Sequence, residues 1–391
     1  MIKKILFFIF LFFVIILSTL FFIQINTPCN CFLKEVGDSD DNKEELLKEK
    51  IGQMIMFGFR GTEIDEESRI VEFIQEVKIG GIVLFDYDIP SDSFPRNIIS
   101  PEQTKSLISD LQEYSSTSLF IAVDVEGGKV NRLKEDYGFS AFLSPEELGN
   151  IGDYNFTERE ALRISQELRD LGFNMNFAPV IDVNVNPDNP VIGRLGRSFS
   201  PDYQEVALHS KSFIRAHRQN NIISVVKHFP GHGSSLNDSH LGLVDVTETY
   251  KEEELFPYEF LQEESLLDAV MTAHVFNKEV DEEYPATLSP NFLEDILRER
   301  LGFKGVIISD DMQMGAIAGH YGKEDSIIRA INSGCDILLF SNNSQEDYNE
   351  NLPYEVQNII YQAVIDGKIS KERINDSYNR IIKLKSEFNI D

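Results

Sequence analysis

Eight short apolar runs punctuate the chain: "QMIMFGF" (53–59), "GIVLF" (81–85), "LFIAVD" (119–124), "FNMNFAPVID" (173–182), "IISVVKHF" (222–229), "DAVMTAHV" (268–275), "GVIISD" (305–310) and "DILLFS" (336–341). Between them lie stretches of polar-apolar periodicity at helical spacing. Four are expected to be helices: 101–115 behind Ser100-Pro101, 157–171 behind Phe156-Thr157, 201–219 behind Ser200-Pro201 and 289–301 opening on Ser289-Pro290. A strand that is apolar throughout, and not in alternation, is buried on both faces, and its repeated pairing with a helix is the pattern of a covered parallel sheet. Eight such repeats close into an α/β fold, a (β/α)8 barrel of TIM type. An open doubly wound sheet is the alternative. It would normally set a Gly-rich phosphate turn after its first strand, and "FGFRGTE" is a poor G-x-G-x-x-G.

With 42% hydrophobic residues the chain can bury the core that such a barrel needs. Its 36 basic residues stand against 65 acidic ones, a net charge of −29 that repels phosphate backbones, so no nucleic-acid partner is expected. The beginning of the chain is different. After Met1-Ile2-Lys3-Lys4 an apolar run extends from Ile5 to Ile23. That matches the ~20 residues that span a bilayer better than the ~7–15 of a signal-peptide core. Lys3 and Lys4 place the short N-terminus in the cytoplasm and the acidic body outside by the positive-inside bias.

Residues 1–25 are therefore expected to form an uncleaved membrane anchor, with a cleaved signal peptide as the alternative. Acylation of Cys29 or Cys31 is a lesser option, because Pro28 and Asn30 are not the small residues that precede a lipoprotein cleavage site. Residues 26–44, running into "GDSDDNKEE", read as a polar linker. Residues 45–391 read as one barrel domain, without an internal Pro/Gly/Ser-rich linker. Cys335 lies far from Cys29 and Cys31, so no disulfide framework is expected, and it reads as a buried small hydrophobe. The protein is expected to be a monomer.

Active sites of such barrels sit at the C-terminal ends of the strands, and the polar residues of the chain collect there. The third run ends in Asp124 and continues into "VEGGKVNR"; the fourth ends in Asp182, the fifth in Lys227-His228, the sixth reaches His274, and the seventh ends in Ser309-Asp310-Asp311. A carboxylate at the position of Asp310 can attack an anomeric carbon, hold a cation, or cap the next helix with Asp311.

The stretch "KHFPGHGSSLNDSH" (227–240) holds three of the seven histidines. Gly231, Gly233, Ser234, Ser235 and Asn237 mark it as a mobile loop able to close over a substrate. In an extended segment residues two apart face the same way, so Asp238 can orient the ring of His240 and raise its basicity, forming an acid-base dyad. A metal site using His228 and His232 with Asp238 or His240 is a second reading, although the spacing is not H-E-x-x-H. Loop histidines bonded to backbone are the third.

Taken together, "KHFPGHG" followed by "DSH", with "DVEGGKVNR", "IGRLGRSF", "TAHV" and "GVIISDDMQM", resemble the family 3 glycoside hydrolases, and within them the bacterial β-N-acetylglucosaminidases that act on peptidoglycan fragments. The resemblance covers roughly residues 45–390. It implies a retaining double displacement with Asp310 as nucleophile and His240, oriented by Asp238, as acid/base. It also implies that Asp124, Arg132, Arg197, Lys227 and His228 hold the N-acetylglucosamine, and that no metal or cofactor is required. A phosphorylase on the same scaffold and a metal-dependent barrel hydrolase are the alternative activities. The chain departs from the family pattern in places. Lys129 stands where arginine is usual, Ser234 replaces an acidic residue, and the longer "IGRLGRSF" sets Arg194 in competition with Arg197. His232 receives no role.

Overall fold

The structure is a computed structural model and describes residues 40–239, 242–344 and 348–390. The expected anchor over residues 1–25 and the first part of the expected linker lie outside the described residues. Among the described residues no helix is long and apolar enough to cross a membrane. The chain divides into two units, Met1–Glu44, of which residues 40–44 are described, and Glu45–Asp391. A helix over Asp40–Gln53 begins inside the segment expected to be linker, since the Glu, Leu and Lys residues from Glu44 onward are strong helix formers.

Each of the eight apolar runs contributes one barrel strand: β1 (Ile55–Gly58), β2 (Gly81–Val83), β3 (Phe120–Val123), β4 (Met175–Asn176), β5 (Ile223–Phe229), β6 (Ala269–Thr272), β7 (Val306–Ile308) and β8 (Leu338–Phe340). They pair in parallel in the order β7-β6-β5-β4-β3-β2-β1-β8. A parallel bridge from Ile308 to Ile337, with Ser309 N donating to Ile337 O at 2.9 Å, brings β7 back to β8 and completes the ring. Met56, Ile82, Ile121, Met175, Val225, Val270, Ile307 and Leu338 are all 0% exposed, which is why the strands show no alternation. Burial of each such side chain contributes about 1.5–3 kcal/mol. The ladder of β4 is short because it runs into Pro179, which has no N–H to donate. Pairing resumes at the bridge between Val180 and Lys227.

The helices match the expectation with shifted starts. Pro101–Glu113 is capped by Ser100, whose hydroxyl accepts from Gln103 N at 3.3 Å. The second helix begins earlier than Thr157, at Tyr154, because Asp153 is the cap and accepts from Asn155 N and Phe156 N. Thr157 is buried and bonds His209. Likewise Asp202 caps Tyr203–Gln219, displacing the start from Ser200-Pro201. The fourth, Asn291–Arg300, is wound with wider turns, and Leu301 N reaches back to Ile296 O.

Just before β8, at the N-terminal end of the barrel, Asp336 is wholly buried and bonded by Arg298 (2.7 Å), Arg380 (2.9 Å) and Ser377 (2.8 Å), with Arg373 at 3.4 Å. These partners belong to Asn291–Arg300 and the last helix, Lys371–Glu387. The charge cluster ties both to the barrel floor, opposite the strand ends that carry the candidate site.

Candidate active site

At the exit of β3 the chain folds back on itself. Val125–Gly127 pairs antiparallel with Val130–Asn131 through Gly127 and Gly128, both at positive φ. A Cβ on Gly127 would lie 2.0 Å from Leu143 O, so the turn needs glycine on space as well as conformation. The return bonds Arg132 N to Asp124 O at 3.0 Å and brings Arg132 Nε to 3.6 Å from the Asp124 carboxylate.

Lys227, in β5, reaches across to this turn and bridges Asp124 Oδ1 at 2.8 Å and Glu126 Oε1 at 2.7 Å. Arg197 grips both oxygens of Glu126, Nε and Nη2 each at 2.8 Å, and sends Nη1 to Val191 O at 2.9 Å. Its Nη2 also lies 3.3 Å from His228 Nε2. On its other nitrogen His228 meets Asp182 Oδ2 at 2.7 Å, while Asp182 Oδ1 accepts the backbone N–H of His228 at 3.2 Å and of His232 at 2.8 Å. The five residues expected to hold a sugar are thus brought together, on a base of two further carboxylates. Side-chain exposure orders the set: Glu126 and Asp182 are at 0%, Lys227 at 3%, Arg197 at 10%, Asp124 at 15% and Arg132 at 33%. The two added carboxylates lie deepest, and Asp124 and Arg132 are the most open to solvent.

The electrostatics follow from this packing. Burial alone would raise the carboxyl of Asp124, but the charges of Lys227 and Arg132 outweigh it and hold it at about 2. Glu126 is likewise kept below its ordinary range, burial being overcome by Arg197 and Lys227, and Asp182 by the His228 ring. Arg197 is buried too, yet Glu126 raises its pKa above the usual value. Asp124, Glu126, Asp182 and Arg197 are therefore charged at neutral pH. Removing one member leaves an uncompensated buried charge, which costs about 3–5 kcal/mol.

At the exit of β7 the two aspartates differ. The carboxyl of Asp311 is bonded by the Ser341 hydroxyl, by Ser341 N at 3.2 Å and by Gln313 N at 3.1 Å, and the loss of surrounding water raises its pKa. It fastens the turn after β7 to the end of β8. Asp310, half-buried, has its N–H on Thr272 Oγ1 at 3.3 Å and one carboxylate oxygen on Asp311 N at 2.8 Å. Beneath them His274 is fully buried, its ring between Thr287 Oγ1 (2.8 Å) and the carbonyl of Asp311 (3.0 Å). It props the turn.

The loop after β5, expected to be open, is packed over its first part. Pro230 to Ser235 are all buried, and only Leu236 and Asn237 project. Gly233 packs so closely that a Cβ would lie 1.7 Å from Val183 O, while Asn186 and Asn189 bond the carbonyls of Gly233 and His232. Asn189 and Asp182 lie after β4, so tertiary contacts invisible to local composition hold the loop. Asp238 is half-buried; His240 lies outside the described residues. Among the described residues no group of His, Cys, Asp and Glu is arranged to hold a metal ion. The two nitrogens of His232 face Ser235 Oγ and Ser239 Oγ, and those of His228 face Asp182 and Arg197.

Arg194 is exposed beside Asp188 at 3.6 Å, and exposed Lys129 bonds its carbonyl; Arg197 alone of the two arginines enters the site. Glu126 was missed by sequence reasoning although the signal was present, since it stands two residues from Asp124 in "DVEGG". Asp86, at the exit of β2, was missed too. It is fully buried, paired with Lys134 at 2.5 Å and with Arg132 at 3.7 Å.

Residues 46–384 match the model of the glycosyl hydrolase family 3 N terminal domain. A β-hexosaminidase of Psychromonas ingrahamii is 34% identical over 300 residues, covering 74% of this chain and 82% of that protein. β-Hexosaminidase A of Pseudoalteromonas piscicida is 32% identical over 341 residues, 81% of this chain; the chain spans 54% of that protein's length. Among solved structures, a family 3 β-N-acetylglucosaminidase from Paenibacillus superposes with a TM-score of 0.80 at 35% identity, over 88% of this chain and 63% of that one. With this extent of match on the same barrel, the chain belongs to glycosyl hydrolase family 3, a family of glycoside hydrolases.

Proposed function

We propose that the protein is a retaining exo-β-N-acetylglucosaminidase that removes terminal β-linked GlcNAc from peptidoglycan fragments or related glycans. The observation that carries this is the convergence, at one end of the barrel, of the Asp310 carboxylate with the hydrogen-bonded set of Asp124, Arg132, Arg197, Lys227 and His228. The names of the relatives, β-hexosaminidase and β-N-acetylglucosaminidase, support an N-acetylhexosamine as the sugar.

In this reading the outer members of the set take the sugar hydroxyls and acetamido group, while Glu126 and Asp182 keep them aimed. Asp310 attacks the anomeric carbon as His240 gives its proton to the departing glycosidic oxygen, leaving a glycosyl-aspartate. His240, now basic and oriented by Asp238, takes a proton from water, which attacks the same carbon and releases GlcNAc with its original configuration.

Two carboxylates are usual for this chemistry; the imidazole here replaces the second. Asp310→Asn is expected to remove nearly all turnover of a GlcNAc aryl glycoside, and near-wild-type activity would overturn the assignment. Free GlcNAc should remain the product when phosphate is added, whereas GlcNAc-1-phosphate would indicate a phosphorylase. Chelator should leave the rate unchanged; loss restored by zinc would indicate a metal hydrolase.

The location proposed is the outer face of the cell membrane, with residues 1–25 as anchor, 26–44 as linker, and 45–391 as the catalytic body. Its basis is the apolar run from Ile5 to Ile23 behind two lysines. Membrane fractionation with protease added to intact cells tests it. A soluble protein with its N-terminus intact, or a protected body, would contradict it.

A further inference from the structure

His232 takes no part in the proposed chemistry, yet every polar atom of its backbone and ring is engaged. Its N–H bonds Asp182 Oδ1 at 2.8 Å, its carbonyl accepts from Asn189 Nδ2 at 2.7 Å, and its ring lies between two serine hydroxyls, Ser235 Oγ at 2.9 Å from Nδ1 and Ser239 Oγ at 3.0 Å from Nε2. His232, Ser235 and Ser239 are 2%, 0% and 3% exposed. Burial, with the nearby His228 ring, lowers the imidazole to about 4, so it is neutral at working pH with one donor and one acceptor nitrogen.

The surroundings select the tautomer. Asn189 Nδ2 donates to Ser235 Oγ at 2.9 Å, and the nearer acceptor for the serine's own hydrogen is His232 Nδ1, since Asn237 O is farther at 3.3 Å. The ring hydrogen then sits on Nε2 and points at Ser239.

Ser239 is the residue between Asp238 and His240. We propose that His232 is a positioning residue that holds Ser239 and thereby fixes the backbone that carries Asp238, an inference that rests on Asp238 and His240 being the proton carrier. Asp182 is the common anchor. One of its oxygens accepts both the His228 and the His232 backbone N–H, and the other the His228 ring, so the sugar-holding strand end and the proton-carrying end of the loop are referred to one carboxylate. Leu236 and Asn237, which lie between Ser235 and the pair, are exposed. The ring contact to Ser239 therefore ties down the loop beyond this exposed stretch.

The test uses the full chain and Ser239→Ala, which removes the hydroxyl and nothing else. Turnover of chitobiose, whose leaving group needs a proton, should fall roughly tenfold, the scale of one hydrogen bond in a catalytic geometry. Turnover of a nitrophenyl glycoside should fall far less. Ser239→Thr, which restores the hydroxyl, should recover the chitobiose rate. His232→Gln should show the same substrate split, and the double variant should be no worse than the more affected single one, because both changes break the same contact.

Equal losses on both substrates, or losses that multiply in the double variant, would overturn the inference even if melting temperatures are unchanged. His240→Ala run alongside separates the two levels. If it shows no dependence on the leaving group, the proton-carrier reading fails and this inference with it. If it does and Ser239→Ala does not, only the role of His232 fails.

Discussion

Two adjacent carboxylates at the exit of β7 have different surroundings. Asp311 is taken up by Ser341 and Gln313, and the half-buried Asp310 is the one proposed as nucleophile. The two-residue spacing that lets Asp238 and His240 face the same way in an extended segment also holds for Asp124 and Glu126. What identifies Glu126 is the reach of Lys227 and Arg197 across the barrel mouth, which no local pattern encodes. Arg197→Lys tests this node. A single ammonium cannot span both Glu126 oxygens and also reach Val191 O, so kcat/KM should fall about tenfold or more while the fold persists. Steady-state kinetics beside a thermal melt decide it, and an unchanged kcat/KM would remove Arg197 from the site.

At the scale of elements the strands were legible because burial on both faces writes itself as uninterrupted apolar runs, and all eight lie where those runs are. Helix starts were less legible. Asp153 and Asp202 compete with nearby Ser and Thr for the cap, and only the geometry of the entering chain decides between them. The loop after β5 was least legible. Its glycines signalled mobility, but in the fold they are close-approach positions against Val183 and Glu254. Gly231, at φ +144°, has Glu254 Cβ and Oε2 each 2.9 Å from where a Cβ would stand. Gly231→Ala should therefore displace the loop and cut chitobiose turnover more than tenfold, with the barrel still folded by circular dichroism. Full activity in this variant would mean that the loop does not need its present position.

At the scale of the molecule, charge clusters mark the two ends of the barrel. On the floor, Asp336→Asn should destabilise by about 3–5 kcal/mol, because Arg298, Arg373 and Arg380 would lose their common counter-ion. Urea unfolding measures it. Inside, His217 is fully buried and lowered to about 3 by that burial, with Asn176 Nδ2 at its Nε2 and Phe213 O at its Nδ1. A folded-state pKa below the unfolded 6.5 means stability that is present above pH 6.5 and is lost as pH falls toward 3. Against the parent, His217→Gln should thus be less stable at pH 7, with a deficit that shrinks as pH drops below 6.5; a constant deficit would contradict the buried neutral ring.

The central claim is that Asp310 becomes covalently bound to the sugar. The direct measurement is mass spectrometry of peptides after brief incubation with a fluorinated, slow-turnover GlcNAc donor. One added sugar residue is expected on the peptide that contains Asp310, and none in Asp310→Asn. A sugar on any other carboxylate, or steady turnover of the donor with no labelled peptide at any time, would contradict the claim.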